Sequence, residues 1–257
     1  MGFATVEGRN IHYQYPQAAE ARVSQGHTVL MVHGAYDSHK VWRYQYSYLE
    51  REHMPLAIDL PGHGESQGPA INDPQGFREF IKAFAEVMGI APFVFAGHSM
   101  GGSMALDYGI HHPEDLRGLI MVGSAPRWKM SEELILMWKT DPEGARGKNI
   151  GLLFSKKTSK RLVEQYDREL RTTPADSCLA DSENCAAYDL EAQLGTIDLP
   201  VLVICGDEEE WIDGSKVIHS RMPHSTLEIV PAAGHAIMIE QPDKLNDAMG
   251  AYLKTLG

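Results

Sequence analysis

Cysteine is scarce in these 257 residues: Cys178, Cys185 and Cys205 are the whole set, and none belongs to a C-x-x-C pair. So small and odd a set excludes a disulfide-built scaffold and offers no thiol pair spaced for a metal. Cys205 ends an apolar run and reads as a small buried hydrophobe. Cys178 and Cys185 could pair only if the chain between them folded back, and reduced thiols are expected. Cations are in deficit too, with 23 Lys and Arg against 35 Asp and Glu, for a formal net charge of −12. That balance argues against nucleic acid and against an acidic membrane surface as partners. No apolar run approaches the length of a membrane span, and no basic start leads into an apolar stretch. Neither membrane insertion nor secretion is therefore expected, and the location expected is cytoplasmic.

Cofactor motifs are also missing. No G-x-G-x-x-G follows the first strands, Gly62-His63-Gly64 is too short and wrongly placed for a dinucleotide, and no G-x-x-x-x-G-K occurs. His33, His39, His63, His98 and His235 could gather in space, but no H-x-x-x-H supplies a ligand pair. Neither a metal nor another cofactor is expected. Internal repeats and low-complexity segments are absent. What is there has ordinary proportions, 43% hydrophobic and 23% charged, and is long enough for one large domain or one domain with an insertion.

The chain is organised around Phe93 to Leu106. Phe93 to Ala96 suits a buried strand, Gly97-His98-Ser99-Met100-Gly101 matches the G-x-S-x-G nucleophile elbow, and Met104-Ala105-Leu106 opens a helix behind it. Ser99 would stand in a strained turn above a helix N-terminus, where developing negative charge is favoured. Side chains at 97 or 101 would collide with the neighbouring strand or helix.

Before this stretch, Phe3 to Val6 and Ile11 to Tyr15 predict a hairpin, and Gln17 to Gly26 a polar connection. Thr28 to Val32 and Met54 to Ile58 predict strands, Val41 to Glu52 and Gly76 to Met88 helices. Leu119 to Val122 predicts the strand after the elbow helix. Between Arg127 and Leu194 the character changes: charged residues interleave with Leu, Trp and Tyr at helical intervals, with no dense β-branched run. Helices are expected over Ser131 to Lys139, Thr158 to Arg171 and Asp176 to Asp181, separated by Asp141-Pro142 and Thr173-Pro174. Strands then return at Val201 to Cys205 and Leu227 to Val230, with helices at Gly214 to Arg221 and Pro242 to Leu256. Such alternation implies a mainly parallel sheet covered on both faces, with its chemistry in loops at the C-terminal ends of strands. The candidate reactive residues all sit at such ends.

A serine hydroxyl needs a base, and the base an orienting acid. His111 and His112 fall at a helix end and His53 before a strand, where solvated or capping roles suit them. His235, in the short loop Pro231-Ala232-Ala233-Gly234-His235, can point back over the sheet. The acid belongs to the run Gly206-Asp207-Glu208-Glu209-Glu210-Trp211, in which Asp207 lies nearer the strand and Glu209 reaches further. The backbone N–H groups of Met100 and Ala35 are the expected oxyanion donors, with Gly34 permitting close approach. His33 is expected to tie loops together, and His98 to point away from the reaction.

Taken together, His33-Gly34, Asp59-Leu60-Pro61-Gly62-His63-Gly64-Glu65-Ser66, Gly97-His98-Ser99-Met100-Gly101-Gly102, and Gly234-His235 with Glu240-Gln241-Pro242 resemble the signatures of the α/β-hydrolase family, in its order and over nearly the whole chain. The resemblance implies an α/β fold with a helical lid: residues 1–126 and 195–257 form the core and 127–194 the lid. It also puts Glu209 where the family has its triad aspartate, with Asp207 the alternative. Under the implied lid, Tyr36, Met130, Leu134, Trp138 and Phe154, with Leu153, are candidates to line an apolar acyl pocket. Ser99 argues against the aspartate-nucleophile branches. The expected function is a carboxylesterase-like serine hydrolase acting on small to medium esters with an apolar acyl side. A lactonase, a carbon–carbon bond hydrolase and a catalytically silent small-molecule-binding protein are the alternatives. Monomer and homodimer both stay open.

Overall fold

The computed structural model describes residues 1–16 and 26–257, so the connection expected over Gln17 to Gly26 lies outside it except for Gly26. The apolar runs become strands. β1 (Gly2–Val6) and β2 (Arg9–Gln14) form the antiparallel hairpin, turned through Glu7 and Gly8 at positive φ. They are followed by β3 (Thr28–Val32), β4 (Met54–Ile58), β5 (Phe93–His98), β6 (Leu116–Val122), β7 (Val201–Gly206) and β8 (Ser225–Val230). These make one sheet ordered β1-β2-β4-β3-β5-β6-β7-β8, in which β1, β2 and β4 pair antiparallel and the rest parallel.

Successive side chains of a strand point to opposite faces, and both faces here are covered. Phe93, Phe95, Leu119 and Met121 join one apolar core with Phe77, Phe80 and Phe84. Val94, Ala96, Ile120 and Val122 join the other with Trp42, Leu245 and Met249. Trp42 ends a 3-10 turn over His39–Trp42 that leads into α1 (Arg43–Leu49), the three phenylalanines come from α2 (Pro74–Met88), and Leu245 and Met249 come from the closing helix. The expected helix over 41–52 is thus divided between two helix types. Asp73 caps α2 by accepting the Gly76 N–H at 2.8 Å, Pro74 fits its first turn, and Gly89 ends it at φ 61. The elbow helix is α3 (Met100–His111).

Between β6 and β7 lie α4 (Glu132–Thr140), α5 (Pro142–Ile150), α6 (Lys160–Leu170) and α7 (Ala175–Ala187). Two expectations are corrected. Asp141-Pro142, taken as a separator, starts α5: Asp141 accepts the Gly144 N–H at 3.0 Å and Pro142 occupies the first helical position, where its missing N–H costs nothing. And α7 runs six residues beyond the expected Asp181, because Ser182, Asn184 and Cys185 bury a continuous inner face. Cys178 and Cys185 both lie on α7 as free, buried thiols, and Cys205 is buried in β7. The chain closes with α8 (Ile212–Arg221), α9 (Ile237–Glu240) and α10 (Pro242–Leu253).

Candidate active site

Strand β5 ends at His98 and α3 begins at Met100, which leaves Ser99 alone in the turn at φ 54, ψ −119. A non-glycine residue holds that conformation only when its surroundings dictate it. They do: the Ser99 N–H donates to Val122 O at 2.9 Å, and the Ser124 hydroxyl donates to Ser99 O at 2.9 Å. A Cβ on Gly97 would come within 2.2 Å of Gly101 O, and one on Gly101 within 2.5 Å of Val32 O. The turn is therefore too tight for any other residue at 97 or 101.

The loop after β8 brings His235 to the same end of the sheet. Its Nδ1–H donates to Glu209 Oε1 at 2.7 Å, and Glu209 Oε2 accepts the Gly206 N–H at 3.3 Å. Glu209 is 4% exposed and His235 3%. Asp207, by contrast, is exposed and accepts the Ala233 N–H at 3.4 Å. The run of acids is thereby divided: Glu209 turns inward to the imidazole, and Asp207 braces the loop that carries it. Glu208 accepts Ser155 Oγ–H at 3.0 Å, while Glu240 accepts the Gly234 N–H at 2.7 Å and the Ser155 N–H at 2.8 Å.

Ser99, His98 and His235 open onto one cavity at the C-terminal end of the sheet. Ala35, Tyr36 and Trp211 line it from the loops after β3 and β7; Trp128, Met130, Leu134, Leu153 and Tyr166 line it from the segment between β6 and β7. Trp138 and Phe154, expected in this lining, stand behind it. Trp138 packs on Tyr36 with ring centroids 4.9 Å apart, and Phe154 meets Tyr166 edge-on at 5.5 Å. Trp128 and Trp211 were not anticipated, although both follow strand ends. Trp211 lies edge-on to His235 at 4.7 Å, and the Trp128 indole N–H donates to Ser103 Oγ at 2.8 Å.

Two further histidines are neutral and structural. Burial, with His63 nearby, pushes His33 down to about 4. Its Nδ1–H donates to Gly34 O at 2.8 Å and its Nε2 accepts the Leu60 N–H at 3.1 Å, so it joins the two loops as expected. Burial and then His235 hold His98 well below the usual range, and its Nε2–H donates to the His235 carbonyl at 3.1 Å. Among the described residues neither the Ala35 nor the Met100 N–H has a hydrogen-bond partner. Beside them, Asp37 accepts the Tyr166 hydroxyl and, at 2.7 Å, the Ser38 N–H; burial pushes its carboxyl up to about 7.

One buried group, His12, His39 and Asp59, gathers potential metal-ligand atoms. Its atoms are already committed: Asp59 accepts Nδ1–H from His12 at 2.9 Å and from His39 at 2.8 Å, and also the N–H groups of His39 and Glu65. No helix of the described residues is long and apolar enough to cross a membrane.

A family model described as the alpha/beta hydrolase family matches residues 29–248. The 3-oxoadipate enol-lactonase 2 of Acinetobacter baylyi is 28% identical, over 83% of this chain and 84% of its own. Among solved structures, an esterase from Exiguobacterium antarcticum is similar with a TM-score of 0.88 at 22% identity, covering 99% of this chain and 100% of that one. The enol-lactonase from Burkholderia xenovorans LB400 reaches 0.90 at 18% identity, over 98% and 99%. At these identities the structural likeness concerns the fold.

Proposed function

The chain belongs to the alpha/beta hydrolase family, and we propose that it is a serine hydrolase cleaving small to medium carboxylic esters with an apolar acyl side. The observation that carries this reading is the Glu209–His235 pair, buried at 2.7 Å and opening onto the same apolar cavity as the strained Ser99. In this scheme Ser99 Oγ attacks the ester carbonyl while His235 takes its proton. Glu209 keeps the imidazole in the tautomer that presents Nε2 and stabilises the imidazolium. The Met100 and Ala35 N–H groups receive the oxyanion, His235 protonates the departing alcohol, and water then releases the acyl group by the reverse sequence. The helices between β6 and β7 act as the lid that keeps the acyl chain out of water.

A lactone is an internal ester and opens by the same steps. The 28% identity to a protein named as an enol-lactonase supports that second reading.

The test is hydrolysis of p-nitrophenyl esters from acetate to palmitate, and of a panel of lactones, by wild type and Ser99→Ala. A chain-length optimum is expected, with the variant folded but lower in kcat by about 10⁶-fold. Undiminished turnover in Ser99→Ala would sink the mechanism. Turnover of lactones alone would select the second reading.

A further inference from the structure

Tyr36 follows Ala35 at φ 71, a left-handed conformation that is costly for a bulky residue. The groups that hold it come from far along the chain. Asp181 Oδ2, fully buried on α7, accepts the Tyr36 N–H at 2.7 Å. The Thr173 hydroxyl donates to Tyr36 O at 2.7 Å, and the Tyr36 hydroxyl lies 2.7 Å from Ser182 Oγ.

The same Asp181 oxygen accepts Nε2–H of His63 at 2.9 Å, while His63 Nδ1 lies 3.1 Å from the Pro61 carbonyl. The Pro61 carbonyl can only accept, so Nδ1 donates to it. Burial opposes charge on this ring, and the Asp181 carboxylate outweighs it, raising the His63 pKa. Asp181 Oδ1 has no partner among the described residues. All the bonding of this carboxylate thus converges on one oxygen, set between the buried His63 ring and one backbone N–H.

Resting on the hydrolase reading above, we propose that Asp181 is a positioning residue for oxyanion binding. Held in place by His63, it fixes the Ala35–Tyr36 peptide, and with it the direction of the adjacent Ala35 N–H. The acyl chain is held by the apolar walls; Asp181 lines none of them and meets Tyr36 only at its backbone N–H. The oxyanion exists only during reaction, so misdirecting its donor weakens the transition state and leaves ground-state binding alone.

Asp181→Asn in the full chain tests this. We expect kcat for the best p-nitrophenyl ester to fall by about 10- to 100-fold, with KM changed less than about threefold. Affinity for an alkyl trifluoromethyl ketone, whose adduct with serine carries an oxyanion, should weaken in proportion to kcat. Glu183→Gln, on the same helix but bonded to Asn72, should keep wild-type kcat. If Asp181→Asn shows no cooperative thermal transition, the double variant His63→Asn/Asp181→Asn, which replaces both partners of the buried pair, is expected to show the same loss in kcat. Wild-type kcat in a folded variant overturns the assignment, as does an equal loss in Glu183→Gln or a loss confined to KM with inhibitor affinity intact. Wild-type protein that turns over no ester or lactone overturns the hydrolase reading and the Asp181 assignment with it.

Discussion

Gly123 leaves bare the space that Glu209 requires: a Cβ there would lie 3.1 Å from Glu209 Oε1, and as near to His235 Nδ1. The residue also sits at φ 54, where an L side chain is strained. Gly123→Ala should therefore push the carboxylate from the imidazole and destabilise the fold by more than about 1 kcal/mol. Esterase rate and thermal melting check both parts. A variant with wild-type kcat would show that the 2.7 Å contact tolerates displacement.

Glu209 and Asp207 stand two residues apart in opposite environments, one buried against His235 and one in solvent. Glu209→Gln is expected to lower kcat by about 10²- to 10⁴-fold, by analogy with loss of the triad carboxylate elsewhere. Asp207→Asn should change it by less than about threefold, as exposed substitutions usually do. Kinetics of the two variants side by side settle which carboxylate serves His235. The opposite ranking would transfer the role to Asp207.

Asp37 gives the stability a pH signature. Its carboxyl rises from 3.8 to about 7 on burial, against the pull of its bonds from Tyr166 and Ser38. Between those values the folded state holds a proton that the unfolded state has released. Stability contributed at low pH is therefore lost as pH rises through this window. Melting temperatures at pH 5 and pH 8 should fall further apart in wild type than in Asp37→Asn. Equal differences would show that Asp37 titrates normally.

Leu134 lines the cavity, whereas Phe154 stands behind Tyr166. Leu134→Ala should move the acyl-length optimum to longer chains, each methylene in such a pocket being worth about 1–3 kcal/mol. Phe154→Ala should lower the melting temperature with the optimum unchanged. A shift in the optimum with Phe154→Ala alone would redraw the acyl wall.

Much of the candidate site was legible because its parts are local. The elbow at Ser99, the loop of His235 and the turn at Ala35, proposed to bind the oxyanion, each sit within a few residues of a strand end, where a short apolar run and its glycines announce them. Trp138 and Phe154 were misplaced because helical spacing says that a residue faces inward, not whether it reaches the cavity or backs a residue that does. The choice of Glu209 over Asp207 depends on how the loop turns after Gly206, which the acids themselves do not encode. The contact between Tyr36 and Asp181 joins positions 145 residues apart and has no local pattern at all.

The fastening of Tyr36 also bears on how this protein can be recombined with its relatives. Residues 132–187 look like a cassette, entered after β6 and left before β7. Yet Tyr166, Thr173, Asp181 and Ser182 bond the turn after β3, and Ser155 bonds both Glu208 and Glu240. A chimaera that exchanged the cassette alone would inherit a core whose turns had lost their tethers. The unit of exchange is discontinuous: the helices together with residues 36–37, His63, Glu208 and Glu240.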